Sequence, residues 1–146
     1  MPTSRRRALL PLIAAAALPL AAPAARAAGA PGPLKAVFQV SDADPHKWAL
    51  ALNNLRNVSD DLGGDMAVEL ELVVYGPGIG MLKAGSPVAE RVAEAQKNGV
   101  KVVACENTMK AQKLTYADML PKLGYVPAGV VELIKKQHAG WAYIRP

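Results

Sequence analysis

The sequence predicts an α/β domain of three layers, α/β/α, in which helices cover both faces of a mainly parallel sheet of about five strands. Short, β-branched apolar runs alternate along the chain with longer stretches whose apolar residues recur at helical spacing. The loops between these runs are short, as they are in βαβ units. The chain has 146 residues, which suffices for one domain of ordinary size and not for two.

Residues 1–27 have the pattern of an export signal. A basic start at 4–7 (Ser-Arg-Arg-Arg) precedes an alanine- and leucine-rich run, and 25–27 (Ala-Arg-Ala) fits a small-x-small cleavage site. The paired arginines are typical of a Tat signal, while a Sec signal, or retention of the segment as an anchor, stays open. We expect a flexible leader over 28–33, a single domain over 34–146 and a periplasmic location.

The charge balance argues against a nucleic-acid partner. Four of the 17 Lys and Arg residues lie in 1–27, which leaves 13 against 12 Asp and Glu in the rest of the chain. No basic run and no basic patch interleaved with aromatic residues remains after the signal. No apolar stretch beyond the signal has the length of a bilayer span, so we expect no stable membrane span once it is removed.

The first strand and helix have clear boundaries in the sequence. Residues 34–40 form an almost wholly apolar run, as expected of a strand covered on both faces. Asp44 is a good N-cap and Pro45 suits the first helical position. The helix that they begin should end at the glycine pair 63–64.

The middle of the chain predicts two further strands with a helix between them. Residues 67–75 read as the second strand, which runs into the glycine-rich segment 76–80. Ser-Pro at 86–87 should begin the second helix, and Asn-Gly at 98–99 should end it. The third strand then follows over 100–105.

The last part predicts short elements. Residues 115–118 match a capping box for a short helix that Pro121 ends. A very short strand is expected at 125–126, a helix over 130–137 and a final strand over 141–144. Because the carboxyl ends of parallel strands lie at one edge, the loops after the first three strands should meet there.

Cys105, the only cysteine, is the candidate catalytic residue. It ends a predicted strand just before a helix start, where ligands and chemistry gather in open α/β sheets. The positive end of that helix would lower the pKa of the thiol and favour the nucleophilic thiolate. A single cysteine cannot form an internal disulfide, and an unpaired one in an exported protein suggests a reactive thiol. The alternative is a buried, inert cysteine that acts as a small hydrophobe.

The candidate supporting residues are Glu106, Asn107, Thr108, Gly76 and Gly78. Either of the first two could hydrogen-bond the sulfur, although the charge of Glu106 would oppose a thiolate. Asn107 could instead be the N-cap of the following helix. The glycine segment lacks the Lys-Ser/Thr of a P-loop, so a tight turn is favoured over a phosphate cradle. Such a turn would let the backbone approach whatever the cysteine binds.

Other chemistries find little support. The two histidines, His46 and His138, lie on different predicted helices without further ligands at metal-binding spacing, so no metal site is expected. No Gly-x-Ser-x-Gly elbow of a serine hydrolase is present. We expect no cofactor.

Four segments together resemble the DsrE/DsrF-like family: 73–79 (VVYGPGI), 99–109 (GVKVVACENTM), 127–133 (PAGVVEL) and 140–144 (GWAYI). The resemblance covers nearly the whole domain, 34–146. It implies a compact α/β/α domain of flavodoxin-like architecture that assembles into trimers or hexamers. In the sulfur-oxidation members of the family, a cysteine accepts sulfur as a persulfide and passes it to a partner, and the matching position here is Cys105. Those sulfur carriers work in the cytoplasm, so the export signal is a departure from the family pattern.

The leading hypothesis is a periplasmic sulfur-handling protein that carries sulfane sulfur as a persulfide on Cys105. Its donor and acceptor would be a small sulfur compound or a partner protein, and whether it acts as a sulfurtransferase-like enzyme stays open. The alternatives are a non-catalytic binding or assembly module with a structural cysteine, and a redox sensor that forms intermolecular disulfides.

Overall fold

Five strands form one parallel sheet in the computed structural model, which describes residues 32–64 and 67–146. The predicted export signal and residues 28–31 of the predicted leader lie outside the described residues. The strands are β1 (Leu34–Val40), β2 (Val68–Val74), β3 (Lys101–Cys105), β4 (Gly124–Val126) and β5 (Ala142–Ile144).

Four α-helices and two 3-10 helices connect these strands over the same described part of the chain. The α-helices are α1 (Pro45–Leu62), α2 (Ala89–Lys97), α3 (Glu106–Ala111) and α4 (Gly129–His138), and the 3-10 helices are Gly76–Leu82 and Tyr116–Asp118. None of the helices in residues 32–64 and 67–146 is long and apolar enough to cross a membrane.

Local sequence signals explain most helix ends. The side chain of Asp44 accepts a hydrogen bond from the N–H of His46, and Gly63 ends α1 in the left-handed conformation with φ of 92°. The predicted capping box at Thr115 is confirmed, since its side chain and that of Asp118 satisfy each other's backbone N–H groups.

Two local expectations were wrong in detail. The second helix begins at Ala89 and not at Ser86, whose hydroxyl instead accepts the N–H of Val88 at 3.3 Å in the turn before it. The glycine segment after β2 was expected to be a tight turn, but it forms the 3-10 helix Gly76–Leu82. Only its first residue, with φ of 56°, needs the left-handed conformation.

The sheet has the order β4-β3-β2-β1-β5, with every neighbouring pair parallel. One face carries the larger core, against which α1, α2 and the first 3-10 helix pack. The other face is covered by α4, over a smaller core of Val37, Val73, Val103 and Leu133. The three-layer α/β/α prediction is confirmed, while the strand order differs from the 2-1-3-4-5 order of flavodoxin itself.

The connections that leave β3 and β4 run to opposite faces of the sheet. The helix after β3 puts Met109 into the larger core, whereas α4, which follows β4, puts Leu133 into the smaller one. Adjacent strands whose connections diverge in this way create a crevice at their carboxyl ends. The described part of the fold therefore has its topological switch point beside Cys105.

Candidate functional site

Cys105 is the last residue of β3, paired in register with Val126 of β4. Its side chain is 5% exposed, so the sulfur lies just under the surface of the crevice between the two strands. The expected meeting of loops at this edge is confirmed. Gly78 donates its N–H to the carbonyl of Ser41 at 3.0 Å, and Gly76 donates to Thr108 at 2.9 Å.

Two helices begin at the sulfur. Cys105 is itself the N-cap of α3, which starts at Glu106, and α4 starts at Gly129 after crossing from β4. The first N–H groups of a helix lack partners within it and carry the positive end of the helix dipole. Of the two roles open to Asn107, that of N-cap does not apply, because the helix begins one residue before it.

Four donors surround the sulfur. Hydrogen bonding from the backbone N–H groups of Asn107, Thr108 and Gly129 and from the side-chain hydroxyl of Thr108 lowers the pKa of the thiol. Burial raises the pKa of the Cys105 thiol, but these hydrogen bonds lower it by more, the Thr108 hydroxyl foremost. The pKa of the thiol therefore lies below its ordinary value, which increases the share of the nucleophilic thiolate.

One acceptor also contacts the sulfur. The carbonyl oxygen of Pro127, in the loop between β4 and α4, lies 3.9 Å from Sγ and can accept the proton of the neutral thiol. The same carbonyl accepts the N–H of Asn107 at 3.1 Å, which ties the start of α3 to the loop that precedes α4. Both helix starts are thereby held in one fixed arrangement about the sulfur.

The side chain of Glu106 has a hydrogen-bond partner other than the sulfur of Cys105. Its carboxylate accepts a hydrogen bond from the hydroxyl of Tyr116. That hydrogen bond, together with the negative charge of Glu106, raises the pKa of Tyr116. The residue next to the thiol thus has its own partner in the 3-10 helix Tyr116–Asp118.

The two glycines predicted to support the site have different neighbours. Both backbone groups of Gly76 form hydrogen bonds with side chains at α3. Its N–H donates to the hydroxyl of Thr108, and its carbonyl accepts from the side chain of Gln112 at 3.3 Å, just after the helix. Gly78 instead packs on the loop after β1, where an added Cβ would lie 2.9 Å from the carbonyl oxygen of Val40. Gly76 therefore acts on the sulfur through Thr108, and Gly78 fixes the neighbouring loop.

Sequence reasoning missed Gly129 and Tyr75. An added Cβ on Gly129 would lie 3.1 Å from side-chain carbons of Tyr75, so only glycine lets the start of α4 approach the end of β2 this closely. A glycine at the start of a helix, two residues after Pro127, was the available signal, but the role of this glycine depends on the path of α4. Among residues 32–64 and 67–146, no three His, Cys, Asp or Glu side chains gather as a metal site.

Comparison with known proteins places this geometry in a family. The chain matches a structure of a protein of unknown function from Methanobacterium thermoautotrophicum with a TM-score of 0.73 and 34% identity, over 77% of this chain and 99% of that one. A protein of unknown function from Bacteroides thetaiotaomicron shares the fold, with a TM-score of 0.64 and 9% identity, over 77% and 94% of the two chains. No curated protein matches the chain. The family model of the DsrE/DsrF-like proteins matches residues 34–146, and the chain belongs to this family.

Proposed function

We propose that this protein handles sulfane sulfur through Cys105, which holds it as a persulfide and passes it to a partner. The observation that carries the proposal is the set of four donors around a single thiol at the switch point. An array composed of N–H and O–H donors stabilises an anion on the sulfur, and the thiolate is the nucleophilic form. The association of the family with sulfur relay supports the same chemistry.

The loading step is a displacement at sulfur. With thiosulfate as the donor, the Cys105 thiolate attacks the outer sulfur, a new S–S bond forms, and the bond to the sulfonate sulfur breaks. Sulfite leaves with the electron pair of that bond, and the negative charge of the thiolate passes to the terminal sulfur of the persulfide. No oxidant, cofactor or proton is consumed.

In the release step, the hydrogen-bond donors around the sulfur stabilise Cys105 as the leaving thiolate. An acceptor thiolate attacks the terminal sulfur, forms a persulfide of its own and expels Cys105 as a thiolate. A thiol of lowered pKa leaves faster in such an exchange, so the donors from Thr108 and Gly129 favour transfer over permanent storage. This is the behaviour of a carrier.

The low exposure of the thiol favours a slender donor. With 5% of Cys105 exposed, an approaching molecule must present its sulfur end-on, between the starts of α3 and α4. Thiosulfate and inorganic polysulfide have such terminal sulfur atoms. This argues for a small sulfur compound as the donor and against a redox sensor, because an intermolecular disulfide would need two such thiols to meet.

Mass spectrometry of the intact protein tests the proposal. After incubation with thiosulfate or polysulfide, the wild type should gain the mass of one sulfur atom and lose it on treatment with a thiol reductant. Cys105→Ser should gain nothing. A wild-type protein whose thiol can be alkylated but which takes up no sulfur from either donor would contradict the proposal.

We further propose that the mature protein is exported to the periplasm and works as a trimer or hexamer. The signal-like sequence of residues 1–27 supports export. An apolar strip supports assembly, because its side chains are exposed on α4 and on the face of β5 that α4 covers: Val130, Val131, Ile134 and Tyr143. Ile134→Glu should lower the mass measured by light scattering, whereas Leu50→Glu, at an exposed apolar position of α1, should leave it unchanged.

The second candidate function is an assembly module in which Cys105 is structural. The near-complete burial of the thiol together with the apolar strip favours it. In that case, Cys105→Ser would retain both the oligomeric mass and the full activity of the protein in the cell. Loss of cellular activity with an unchanged oligomeric mass would favour the sulfur carrier instead.

A further inference from the structure

One face of α4 contacts one face of β2 at three successive points. The helix residues follow the spacing i, i+4, i+7 and the strand residues the spacing i, i+2, i+4, so each set lies on a single face. From the site outward, the pairs are Gly129 with Tyr75, Leu133 with Val73, and Lys136 with Glu71.

The pair farthest from the site is a buried ion pair. Glu71 is 0% exposed, and the ammonium of Lys136 lies 2.7 Å from its Oε2. Lys101 of β3 lies 3.3 Å from the same oxygen. Neither oxygen of Glu71 meets a donor at hydrogen-bond geometry among the described residues, so the pairing rests on charge.

This ion pair fixes where α4 lies along β2. The apolar contact of Leu133 with the smaller core is non-directional, and such a contact tolerates small sliding of a helix. A buried carboxylate is different, because moving Lys136 away would leave its charge, in a low-dielectric interior, with only the more distant and more exposed ammonium of Lys101. The ring of Trp141, with its centroid 4.0 Å from the ammonium, further restricts Lys136.

We propose that the Glu71–Lys136 ion pair is a positioning device for Cys105, which sets α4 along β2 so that the N–H of Gly129 is held against the sulfur. The ion pair acts over about 10 Å, the rise of the two helical turns between Lys136 and Gly129. At the other end of this contact, the close packing of Gly129 on Tyr75 sets how closely α4 can approach β2. The inference deepens the proposed function and rests on Cys105 being its reacting atom.

Titration of the thiol tests the inference. In Lys136→Met, the midpoint of thiolate formation, followed by ultraviolet absorbance, should rise by about half to one pH unit, because one donor to the thiolate is weakened. Lys136→Arg should restore the wild-type midpoint. Lys135→Met removes the same charge from an exposed neighbouring position of α4 and should leave the midpoint unchanged.

Glu71→Gln keeps the test decisive if Lys136→Met does not fold. It preserves the shape of the side chain and leaves Lys136, which is partly exposed, with the carboxylate of Glu132 at 3.8 Å. Its midpoint should rise by the same amount. A folded Lys136→Met or Glu71→Gln protein with the wild-type midpoint, or an equal rise in Lys135→Met, would overturn the inference.

Sulfur loading, measured on the same samples by mass spectrometry, separates this inference from the proposed function. If the midpoint rises in the variants but the wild type takes up no sulfur from thiosulfate or polysulfide, the persulfide function fails and the positioning role stands. If the wild type takes up sulfur and the midpoint does not move, only the positioning role fails.

Discussion

The backbone N–H of Gly76 donates to the hydroxyl oxygen of Thr108 at 2.9 Å. A hydroxyl whose lone pair is occupied in this way directs its own proton elsewhere, and that proton is donated to the sulfur of Cys105. The three groups form a short chain of donors from the end of β2 to the thiolate. The glycine-rich segment thus contributes to the site by orienting one hydroxyl group.

Thr108→Val should make the thiol less reactive. The substitution keeps the shape of the side chain but removes the donor that lowers the pKa of Cys105 most, so the thiolate fraction falls. Below the titration midpoint of the wild-type thiol, alkylation by iodoacetamide should slow by about threefold to tenfold.

The same change should also reduce stability, because the N–H of Gly76 loses its acceptor. The free energy of unfolding should fall by about 1 kcal/mol, the typical cost of a lost hydrogen bond at a partly buried donor. Thr108→Ser keeps the hydroxyl and is the matched control, with alkylation close to the wild-type rate. Equal rates in the valine and serine variants would show that the hydroxyl does not act on the sulfur.

The stability of the protein should depend on the ionisation of Cys105. Its pKa is lowered in the folded protein from an ordinary value of 9.0, so the folded state binds the thiol proton less tightly than the unfolded chain. The resulting stabilisation is fully present above the unfolded value and is lost as pH falls through the folded pKa.

Urea unfolding of the wild type and Cys105→Ser at a series of pH values measures this effect. The difference in free energy of unfolding, wild type minus variant, should increase with pH up to the unfolded pKa of the thiol and then level off. Other titrating groups are common to both proteins and cancel in the difference. A difference that stays constant with pH would contradict the lowered pKa.

The elements that are determined locally could be predicted from the sequence. The bounds of β1, the caps of α1 and the capping box at Thr115 follow from residue types within a few positions of one another. The place of Cys105 at the end of a strand and the start of a helix was predictable for the same reason. The meeting of the loops after β1, β2 and β3 could also be expected, because the carboxyl ends of parallel strands lie at one edge of the sheet.

The partners that α4 brings to the site could not be predicted. Which face α4 covers depends on the strand order, and the sequence does not determine that order without the packing of the whole sheet. For this reason, the role of Gly129 could not be predicted from the sequence. Glu71 lies within the predicted second strand, and no residue close to it in the sequence indicates that it is fully buried under α4 and paired with Lys136.

The stability of Glu132→Gln relative to the wild type should increase as pH rises. Burial raises the pKa of Glu132 above its ordinary value of 4.5, and the neighbouring carboxylate of Glu71 raises it further, while the charges of Lys136 and Lys101 oppose the shift. A raised pKa gives stability below the unfolded value that is lost as pH rises through the folded one. Glutamine carries no charge and does not lose this contribution.

Thermal or urea unfolding at acidic and neutral pH should therefore show a change of relative stability. The free energy of unfolding of Glu132→Gln, relative to wild type, should be higher at neutral pH than near the ordinary pKa of a glutamate. The ion pair with Lys136, at 3.8 Å, exists only while Glu132 is ionised, so its loss in the variant opposes the effect toward higher pH by about 0.5 kcal/mol. A relative stability that falls as pH rises would be inconsistent with the raised pKa.

Gly129→Ala should perturb stability and the thiol together. The added methyl group would lie 3.1 Å from side-chain carbons of Tyr75, so the start of α4 must move away from β2. Such overpacking lowers the free energy of unfolding by about 1–3 kcal/mol.

Because the N–H of Gly129 is one of the donors to Cys105, the same movement should raise the pKa of the thiol and slow its alkylation. Lys135→Ala is the control, since it alters an exposed side chain of α4 outside the apolar strip and should affect neither measurement. Destabilisation of Gly129→Ala with an unchanged alkylation profile would mean that the start of α4 serves packing alone and that the thiolate depends on the donors of α3.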